Sequence, residues 1–145
     1  RASGWACDVR KTHPYSIYPE LDFEQVVMEE GDSMARFKCR MKEIEQSAHI
    51  IEQLIDNIPD GDYCAKVPKV LKLPVGQWFQ MVEGCRGVFA VYIESDGSTK
   101  PYRLKIAPPC LPLAAVVDHI TSGNKIADLI TIGGSLDYIV PDMDR

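Results

Sequence analysis

Residues 31–61, GDSMARFKCRMKEIEQSAHIIEQLIDNIPDG, carry the clearest pattern in the chain. Apolar side chains recur there at alternating spacings of three and four residues, which places them along one side of an α-helix. The members of this apolar stripe are Met34, Phe37, Met41, Ile44, Ala48, Ile51, Ile55 and Ile58. The pattern predicts one helix over residues 33–58. Asp32 or Ser33 would supply the N-cap oxygen, and the Pro-Asp-Gly sequence at 59–61 would end the helix.

The apolar stripe needs a cover in the folded protein. It spans only about three and a half heptads, so the spacing does not by itself indicate a coiled-coil dimer. We therefore expect a helix that packs within a larger body. Its cover would be either other elements of this chain or the surface of a partner that the chain does not contain.

Three strand-like runs follow the helix, after a connector at 62–76 that contains Pro and Lys. They lie at 78–83, 88–94 and 102–106. The last two are separated by Ser-Asp-Gly-Ser-Thr-Lys-Pro, a strong turn signal. These segments predict a small antiparallel meander, and together with the long helix they indicate an α+β fold class.

The two ends of the chain give weaker patterns. Residues 1–30 are expected to be mostly irregular, with at most one short extended piece at 23–28. Segments 116–121 and 125–132 predict short helices separated by Ser-Gly-Asn. Gly133-Gly134-Ser135 is expected to break the helical pattern before an acidic C-terminus.

Composition bounds the class of protein. The 145 residues fit a single domain, and 46% hydrophobic with 26% charged residues is ordinary for a globular chain. The net charge of −5 and the lack of a Lys/Arg cluster argue against a nucleic-acid partner, because that affinity rests on cationic side chains. No apolar run approaches the roughly 20 residues that span a bilayer, and no apolar segment of a signal peptide follows the first residues.

The metal-ligating residue types are scattered. The five cysteines have no CxxC spacing and no nearby histidine, so we expect reduced and mostly buried thiols with no metal site. They are Cys7, Cys39, Cys64, Cys85 and Cys110. The three histidines also lack a second His or a Cys at ligand spacing; they are His13, His49 and His119. A Cys–His nucleophile pair formed in space stays open, although no local signature supports it.

Neither glycine-containing turn is a phosphate loop. Gly133-Gly134-Ser135 and Gly84-Cys85-Arg86-Gly87 both lack the required spacing of glycines. The second is interpreted as a turn between strands. It would aim Arg86 outward or at a carboxylate such as Glu83, and a structural Glu83–Arg86 ion pair is favoured over substrate contact.

Several motifs, in order from the first residue to the last, resemble one family. They are RASG at 1–4, DVRK at 8–11 with HPY at 13–15, GDS at 31–33 with AR at 35–36, VE at 82–83 with RG at 86–87, SDGS at 95–98, KPYRLKI at 100–106 with PP at 108–109, AD at 127–128, GSLD at 134–137 and DR at 144–145. Together they resemble the D subunit of respiratory complex I, the proton-pumping NADH:quinone oxidoreductase, which is related to the large subunits of nickel–iron hydrogenases. The resemblance covers the whole chain but only the C-terminal part of that longer subunit. It implies a fragment of a hydrogenase-large-subunit-like fold with one long helix, a small antiparallel sheet and short C-terminal helices.

One departure from the hydrogenases decides the metal chemistry. Their large subunits end in a DPCxxC motif whose thiolates hold nickel and iron, and those cysteine positions fall here on Ile139 and Asp142. An apolar side chain and a hard carboxylate do not replace two soft bridging thiolates. The sequence also departs from the complex I pattern at Ala107, in place of Arg, and at Pro141-Asp142, in place of Gly-Glu.

In complex I, the cavity vacated by the metals corresponds to the quinone chamber. The resemblance therefore implies that Ile139 lines the chamber wall, that Tyr138 and Val140 alternate into packing beside it, and that Asp142 lies at the same site. An apolar wall suits a quinone ring and tail. The chain itself would hold no catalytic residue and no metal, and the quinone-binding His and Tyr of the family lie upstream of the RASG motif.

The same resemblance implies the partners. They are the other complex I subunits, above all the one with the terminal iron–sulfur cluster, and the N-terminal part of the same subunit. NADH, FMN and the iron–sulfur clusters would reside on partner subunits, and electron transfer to quinone would be coupled to proton pumping. The expected location is peripheral, on the cytoplasmic side of the inner (cell) membrane, and the isolated chain would be inactive.

Two alternatives stay open. The first is a fragment of a related membrane-bound hydrogenase-type subunit, or of another quinone- or cofactor-dependent dehydrogenase. The second is a non-catalytic scaffold domain that reuses the fold.

Overall fold

The structure, a computed structural model, describes residues 1–144 and confirms the α+β class. A short N-terminal segment precedes one long helix, a three-stranded sheet and a set of short helices. The elements are α1 (Val9–Thr12), a 3-10 turn (Tyr18–Glu20), α2 (Ser33–Ile55), β1 (Gly76–Gly84), β2 (Gly87–Ser95), β3 (Arg103–Ala107), α3 (Cys110–Ala115), α4 (Val117–Thr121), α5 (Asp128–Leu136) and α6 (Val140–Met143). Arg145, the last residue of the DR motif, lies outside the described residues.

Helix α2 forms as one uninterrupted helix, as the stripe predicts. Asp32 is the N-cap, and its Oδ1 accepts a hydrogen bond from the amide of Ala35 at 2.7 Å. The helix ends at Ile55, three residues before the predicted end. Asn57 caps its last turn, since its side-chain amide donates to the carbonyl of Gln53, and Pro59 disfavours helical backbone at the residue before it.

The apolar stripe is not covered by the other residues of the range 1–144. Its side chains are 47% to 72% exposed, apart from the small Ala48, which is also exposed. The buried side of α2 carries Ala35, Cys39 and Ile50 instead. Two covers were expected, other elements of this chain or the surface of a partner. The described residues do not supply the former.

Polar side chains hold the N-terminal segment against α2. The side chain of Gln53 accepts from the amide of Asp22 at 2.8 Å and donates to the Asp22 carbonyl at 2.6 Å. Gln46 accepts from the amide of Glu24 at 2.8 Å. This segment, predicted to include an extended piece at 23–28, forms no strand there and satisfies part of its backbone through glutamines of the helix.

The sheet is an antiparallel meander in the order β1-β2-β3, as predicted. Gly84 pairs with Gly87, so Cys85 and Arg86 form a two-residue turn. Gly87 has a φ of 132°, a conformation that a side chain would strain. The second connection is closed by Asp96, whose carboxylate accepts from the amide of Ser98 at 2.9 Å.

The C-terminal helices differ from the sequence pattern at several points. Helices α3 and α6 were not predicted, and α5 begins at Asp128, three residues after the predicted start. The expected break at Gly133-Gly134-Ser135 is wrong, because α5 continues through it to Leu136. Ile132 and Leu136 are buried, and the helix packs against α2. Tertiary packing thus overrides the low helix propensity of two glycines. No helix within residues 1–144 is long and apolar enough to cross a membrane.

Candidate functional site

The segment that follows α5, residues 137–143, is called the tail. Asp137 ends α5 in the left-handed conformation, with φ 56° and ψ 35°. The backbone then becomes extended at Ile139, with φ −119° and ψ 125°, and turns into α6 at Val140. The tail therefore changes direction at both ends of a two-residue stretch, Tyr138-Ile139.

Arg86 holds the first of these turns. Its Nε donates to the Asp137 carbonyl at 2.7 Å and lies 3.3 Å from the Asp137 carboxylate. The predicted Glu83–Arg86 ion pair is corrected, because each residue pairs elsewhere. Arg86 lies in the turn beyond the last paired strand residues, next to the tail, whereas Glu83 still belongs to β1 and pairs with Arg1 at 3.0 Å.

Cys110 holds the second turn. Its thiol accepts a hydrogen bond from the Ile139 amide, with 3.4 Å between Sγ and N. Its own amide donates to the Asp142 carboxylate at 3.1 Å. Cys110 is completely buried, and burial raises the pKa of its thiol, so the thiol stays protonated at neutral pH.

The predicted chamber-lining residues lie together in the tail but differ in exposure. Ile139 is 39% exposed and Val140 is 63% exposed, while Tyr138 and Asp142 are half-buried. Val140 does not alternate into packing within this chain, because the extended backbone ends at Ile139 and Val140 opens a helix. The exposed apolar residues of the tail are therefore Ile139, Val140 and Pro141.

Two arginines of α2 hold the end of α5, just before the tail, from the other side. Arg36 Nε donates to Ser135 Oγ at 2.9 Å, and an Arg40 guanidinium nitrogen donates to the Ser135 carbonyl. Burial lowers the pKa of Arg36, and the neighbouring Arg40 cation lowers it further. Both arginines donate to groups that carry no full charge, so they act as anchors for the end of α5.

A second feature is a group of buried charges, here called the ion cluster. It consists of Arg1, Asp8, Arg10, Glu43 and Glu83. Asp8 is fully buried, and the Arg10 side chain grips both of its carboxylate oxygens, with Nε donating to Oδ1 at 2.9 Å and Nη2 to Oδ2 at 2.6 Å. Such a bidentate pair is among the stronger polar contacts in proteins.

The remaining contacts join the ion cluster to α2 and the sheet. Glu43 lies 3.2 Å from Arg10 and 3.4 Å from Arg1. Glu83 lies 3.0 Å from Arg1, and its second oxygen accepts from the amide of Val9 at 2.9 Å. The ion cluster therefore ties together three stretches of chain that are distant in sequence.

The charges in this cluster set each other's proton affinity. Burial alone raises the pKa of Asp8, but the hydrogen bonds and charge of Arg10, with a smaller effect of Arg1, hold it below its ordinary value of 3.8. The hydrogen bond from Arg10 to Asp8 raises the pKa of Arg10, against the opposing effect of burial. Both groups are therefore charged at neutral pH.

A cavity of about 440 Å³ lies between the ion cluster, α2 and the tip of the β1–β2 hairpin. Arg10, Arg40 and Glu43 line it, and Asp137 lines it where the tail begins. The ion cluster and the tail thus border the same space.

The sequence did not reveal the ion cluster. Four of its members belong to the motifs that carry the family resemblance: Arg1, Asp8, Arg10 and Glu83. The motifs do not show that these side chains contact one another in the fold. Glu43 belongs to none of those motifs. The available signal was its position on α2, on the side away from the apolar stripe.

The cysteines are only partly as expected. All five are free thiols, and Cys39 and Cys110 are buried. Cys64 and Cys85 are exposed, because they lie in the connector and in the hairpin turn. Within residues 1–144, no group of three or more His, Cys, Asp or Glu side chains is arranged to hold a metal ion.

Comparison with known proteins bears on the whole of this chain. The family described as "Respiratory-chain NADH dehydrogenase, 49 Kd subunit" matches residues 1–72 and 67–145. The chain belongs to this family. The resemblance drawn from its sequence motifs is confirmed, and the matches fit the C-terminal part of the family's D-type subunit.

Individual relatives agree. The C/D subunit of the NADH-quinone oxidoreductase of Bacteroides thetaiotaomicron is 55% identical over 145 residues, all of this chain and 27% of the relative. The D subunit of the NADH-quinone oxidoreductase of Desulfotalea psychrophila is 45% identical over 146 residues, all of this chain and 39% of the relative. The chain thus spans between about a quarter and two-fifths of these curated relatives.

A solved structure shares the fold. A chain in the structure of the membrane-bound sulfane sulfur reductase, an archaeal respiratory membrane complex, superimposes with a TM-score of 0.91 at 45% sequence identity. The match covers all of this chain and 41% of the other. The chain is therefore similar both to subunits of NADH-quinone oxidoreductases and to a chain of a sulfane sulfur reductase.

Proposed function

We propose that this chain is part of the quinone-reducing module of an NADH:quinone oxidoreductase, and that its tail lines the quinone chamber. One observation carries the proposal. Ile139, at the position of a lost metal-binding thiolate, presents an exposed apolar side chain from a backbone that Arg86 and Cys110 hold on either side. Exposed aliphatic groups on a fixed backbone suit a flat apolar ring and its tail.

The residues fit a quinone better than a metal. Ile139 and Val140 offer hydrocarbon, and Tyr138 offers one phenol beside them. The tail has no thiolate and no histidine, and its two half-buried carboxylates are already engaged, Asp137 by Arg86 and Asp142 by the amide of Cys110. A bound quinone would supply the two-electron acceptor, while the chain's own residues orient it and exclude water. Electrons would come from an iron–sulfur cluster of a partner subunit, with FMN and NADH on others.

The apolar stripe of α2 supports a role inside a larger assembly. A run of exposed Ile, Met and Phe side chains on one helix is typical of a surface that a partner covers. Since the relatives are more than twice as long as this chain, the N-terminal part of the same subunit is the proposed cover. The proposed location is peripheral, on the cytoplasmic side of the inner membrane, where quinone reduction is coupled to proton pumping.

The test is substitution of Ile139 in the intact complex. Ile139→Phe should narrow the chamber, raise the KM for a short-chain quinone several-fold and weaken quinone-site inhibitors. NADH oxidation by ferricyanide, which takes electrons at the flavin, should not change. Ile126→Val is the control, because Ile126 is an exposed aliphatic residue outside the tail. Unchanged quinone kinetics and inhibitor sensitivity in Ile139→Phe would show that the tail does not line the chamber.

A second candidate function is reduction of sulfane sulfur. The high structural similarity to a chain of the archaeal sulfane sulfur reductase favours it. The two are separated by assaying the purified complex with a quinone and with polysulfide as the electron acceptor. If only quinone is reduced, the result supports the quinone oxidoreductase. If only polysulfide is reduced, the second candidate function replaces the first.

A further inference from the structure

We infer that Cys110 is a positioning residue for the quinone site, because its thiol and its amide together hold the tail so that Ile139 faces the chamber. The inference rests on the proposed function and adds a residue outside the tail. Nothing in the chemistry of the site requires a thiol to react. The role is to hold the tail in place.

Cys110 makes hydrogen bonds to the tail through both its side chain and its backbone. The Ile139 amide donates to the Cys110 thiol at 3.4 Å, and the Cys110 amide donates to the Asp142 carboxylate at 3.1 Å. The two bonds bracket the residues at which the tail turns from extended backbone into α6. A residue that binds both sides of a turn fixes its direction, whereas a single bond would leave the turn free to swing.

Helix α3 lacks a side-chain N-cap of its own. The helix is six residues long, its N-cap is Pro109, and Pro109 makes no side-chain cap bond. The first amides of a helix require acceptors from outside. Asp142 supplies one of them from 32 residues away. The tail therefore completes α3, and α3 in return fixes the tail.

Burial makes Cys110 intolerant of change. The residue has no exposed surface, so a larger side chain does not fit and a smaller one leaves the Ile139 amide without its acceptor. A serine hydroxyl would keep an acceptor, but an N–H···O bond needs about 3.2 Å or less. The C–O bond is shorter than the C–S bond and the present separation is already 3.4 Å, so the tail would have to move inward.

The experiment compares Cys110→Ala and Cys110→Ser in the complete, membrane-bound complex. Assembly is checked by native electrophoresis, and rates are normalised to NADH–ferricyanide activity. We expect Cys110→Ala to raise the KM for a short-chain quinone and the half-inhibitory concentration of a quinone-site inhibitor several-fold. The kcat should change much less. Cys110→Ser should shift both quantities in the same direction by a smaller factor.

The matched control is Ile50→Val, which removes one buried carbon near the far end of α2. It should leave KM and inhibitor sensitivity unchanged. Equal shifts in Ile50→Val and Cys110→Ala would show a general packing effect and overturn the inference. If the alanine variant does not assemble, the serine variant decides by the same two readouts.

The outcome also separates this inference from the proposed function. A shift in Ile139→Phe without any shift in the Cys110 variants means that the tail lines the chamber but Cys110 does not position it. If neither residue shifts quinone kinetics, the tail does not line the chamber, and that part of the proposed function fails together with this inference.

Discussion

The ion cluster and the tail are both held by side chains from distant parts of the sequence, but they are held in different ways. In the ion cluster, each of two arginines contacts more than one carboxylate, and the group is largely removed from water. The tail is held at separate points, by Arg86 at its start and by Cys110 at its second turn, while the α2 arginines both contact Ser135 just before it. A shared, buried network fails as a unit when one member is lost. Separate contacts can be lost one at a time, so changes in the tail should alter the site before they alter the fold.

The largest expected effect is loss of Arg10. Arg10→Ala would leave the fully buried Asp8 carboxylate without its main partner, and breaking a buried ion pair in this way costs about 3–5 kcal/mol. Chemical denaturation of the full-length subunit, or loss of the subunit from the assembled complex, would measure this. Arg103→Ala, which removes an exposed arginine from β3, is the matched control and should change stability by no more than about 0.5 kcal/mol. If the two variants destabilised the subunit equally, the ion cluster would not stabilise the fold as a single network.

An intermediate effect is expected from acid. The pKa of Asp8 lies below its ordinary value of 3.8 in the folded chain, so its contribution to stability is present above that pH. The contribution is lost as the pH falls from about 3.8 through the lower, folded-state pKa. In Asp8→Asn, stability should be lower than wild type at neutral pH and should fall less steeply over this acid range. Denaturation midpoints measured across pH would check this, and parallel curves for the two proteins would show that Asp8 is not the titrating group.

The smallest expected effect on stability is at Arg86. Its contacts with Asp137 are partly exposed, so Arg86→Gln should destabilise the subunit by about 1 kcal/mol or less. The effect on the site should be larger, because Arg86 holds the turn from which Ile139 projects. We expect a raised KM for quinone in a complex that assembles normally. A strongly destabilised Arg86→Gln complex would mean that the tail is as integral to the fold as the ion cluster.

Local sequence was sufficient for the long helix, the sheet and two of the C-terminal helices, but it did not predict α1, α3 or α6. The 3–4 spacing predicted α2, the Asp at its start predicted the cap, and the turn residues at 95–101 predicted the last hairpin. Each of these signals depends on residues within a few positions of one another. The predicted chamber residues likewise all lie within positions 138–142, so the structure could hardly separate them.

What the sequence did not supply depends on contacts between distant residues. The stripe on α2 shows which side of the helix is apolar but not what covers it. Charge proximity in sequence suggested a Glu83–Arg86 pair, yet Arg86 meets a residue 51 positions away and Glu83 meets the first residue of the chain. The glycines at 133–134 predicted a break that packing of Ile132 and Leu136 overrides.

The left-handed backbone at Asp137 limits which sequences can occupy this position. A φ of 56° excludes β-branched residues and is tolerated mainly by Gly, Asn and Asp. Of these three, only Asp also carries the carboxylate that lies 3.3 Å from Arg86. Natural variation at this position should therefore be narrow, and an exchange to Gly or Asn should tend to accompany a change at Arg86. Aligning many family members would show this as a correlated pair of columns, at two positions that no local motif connects.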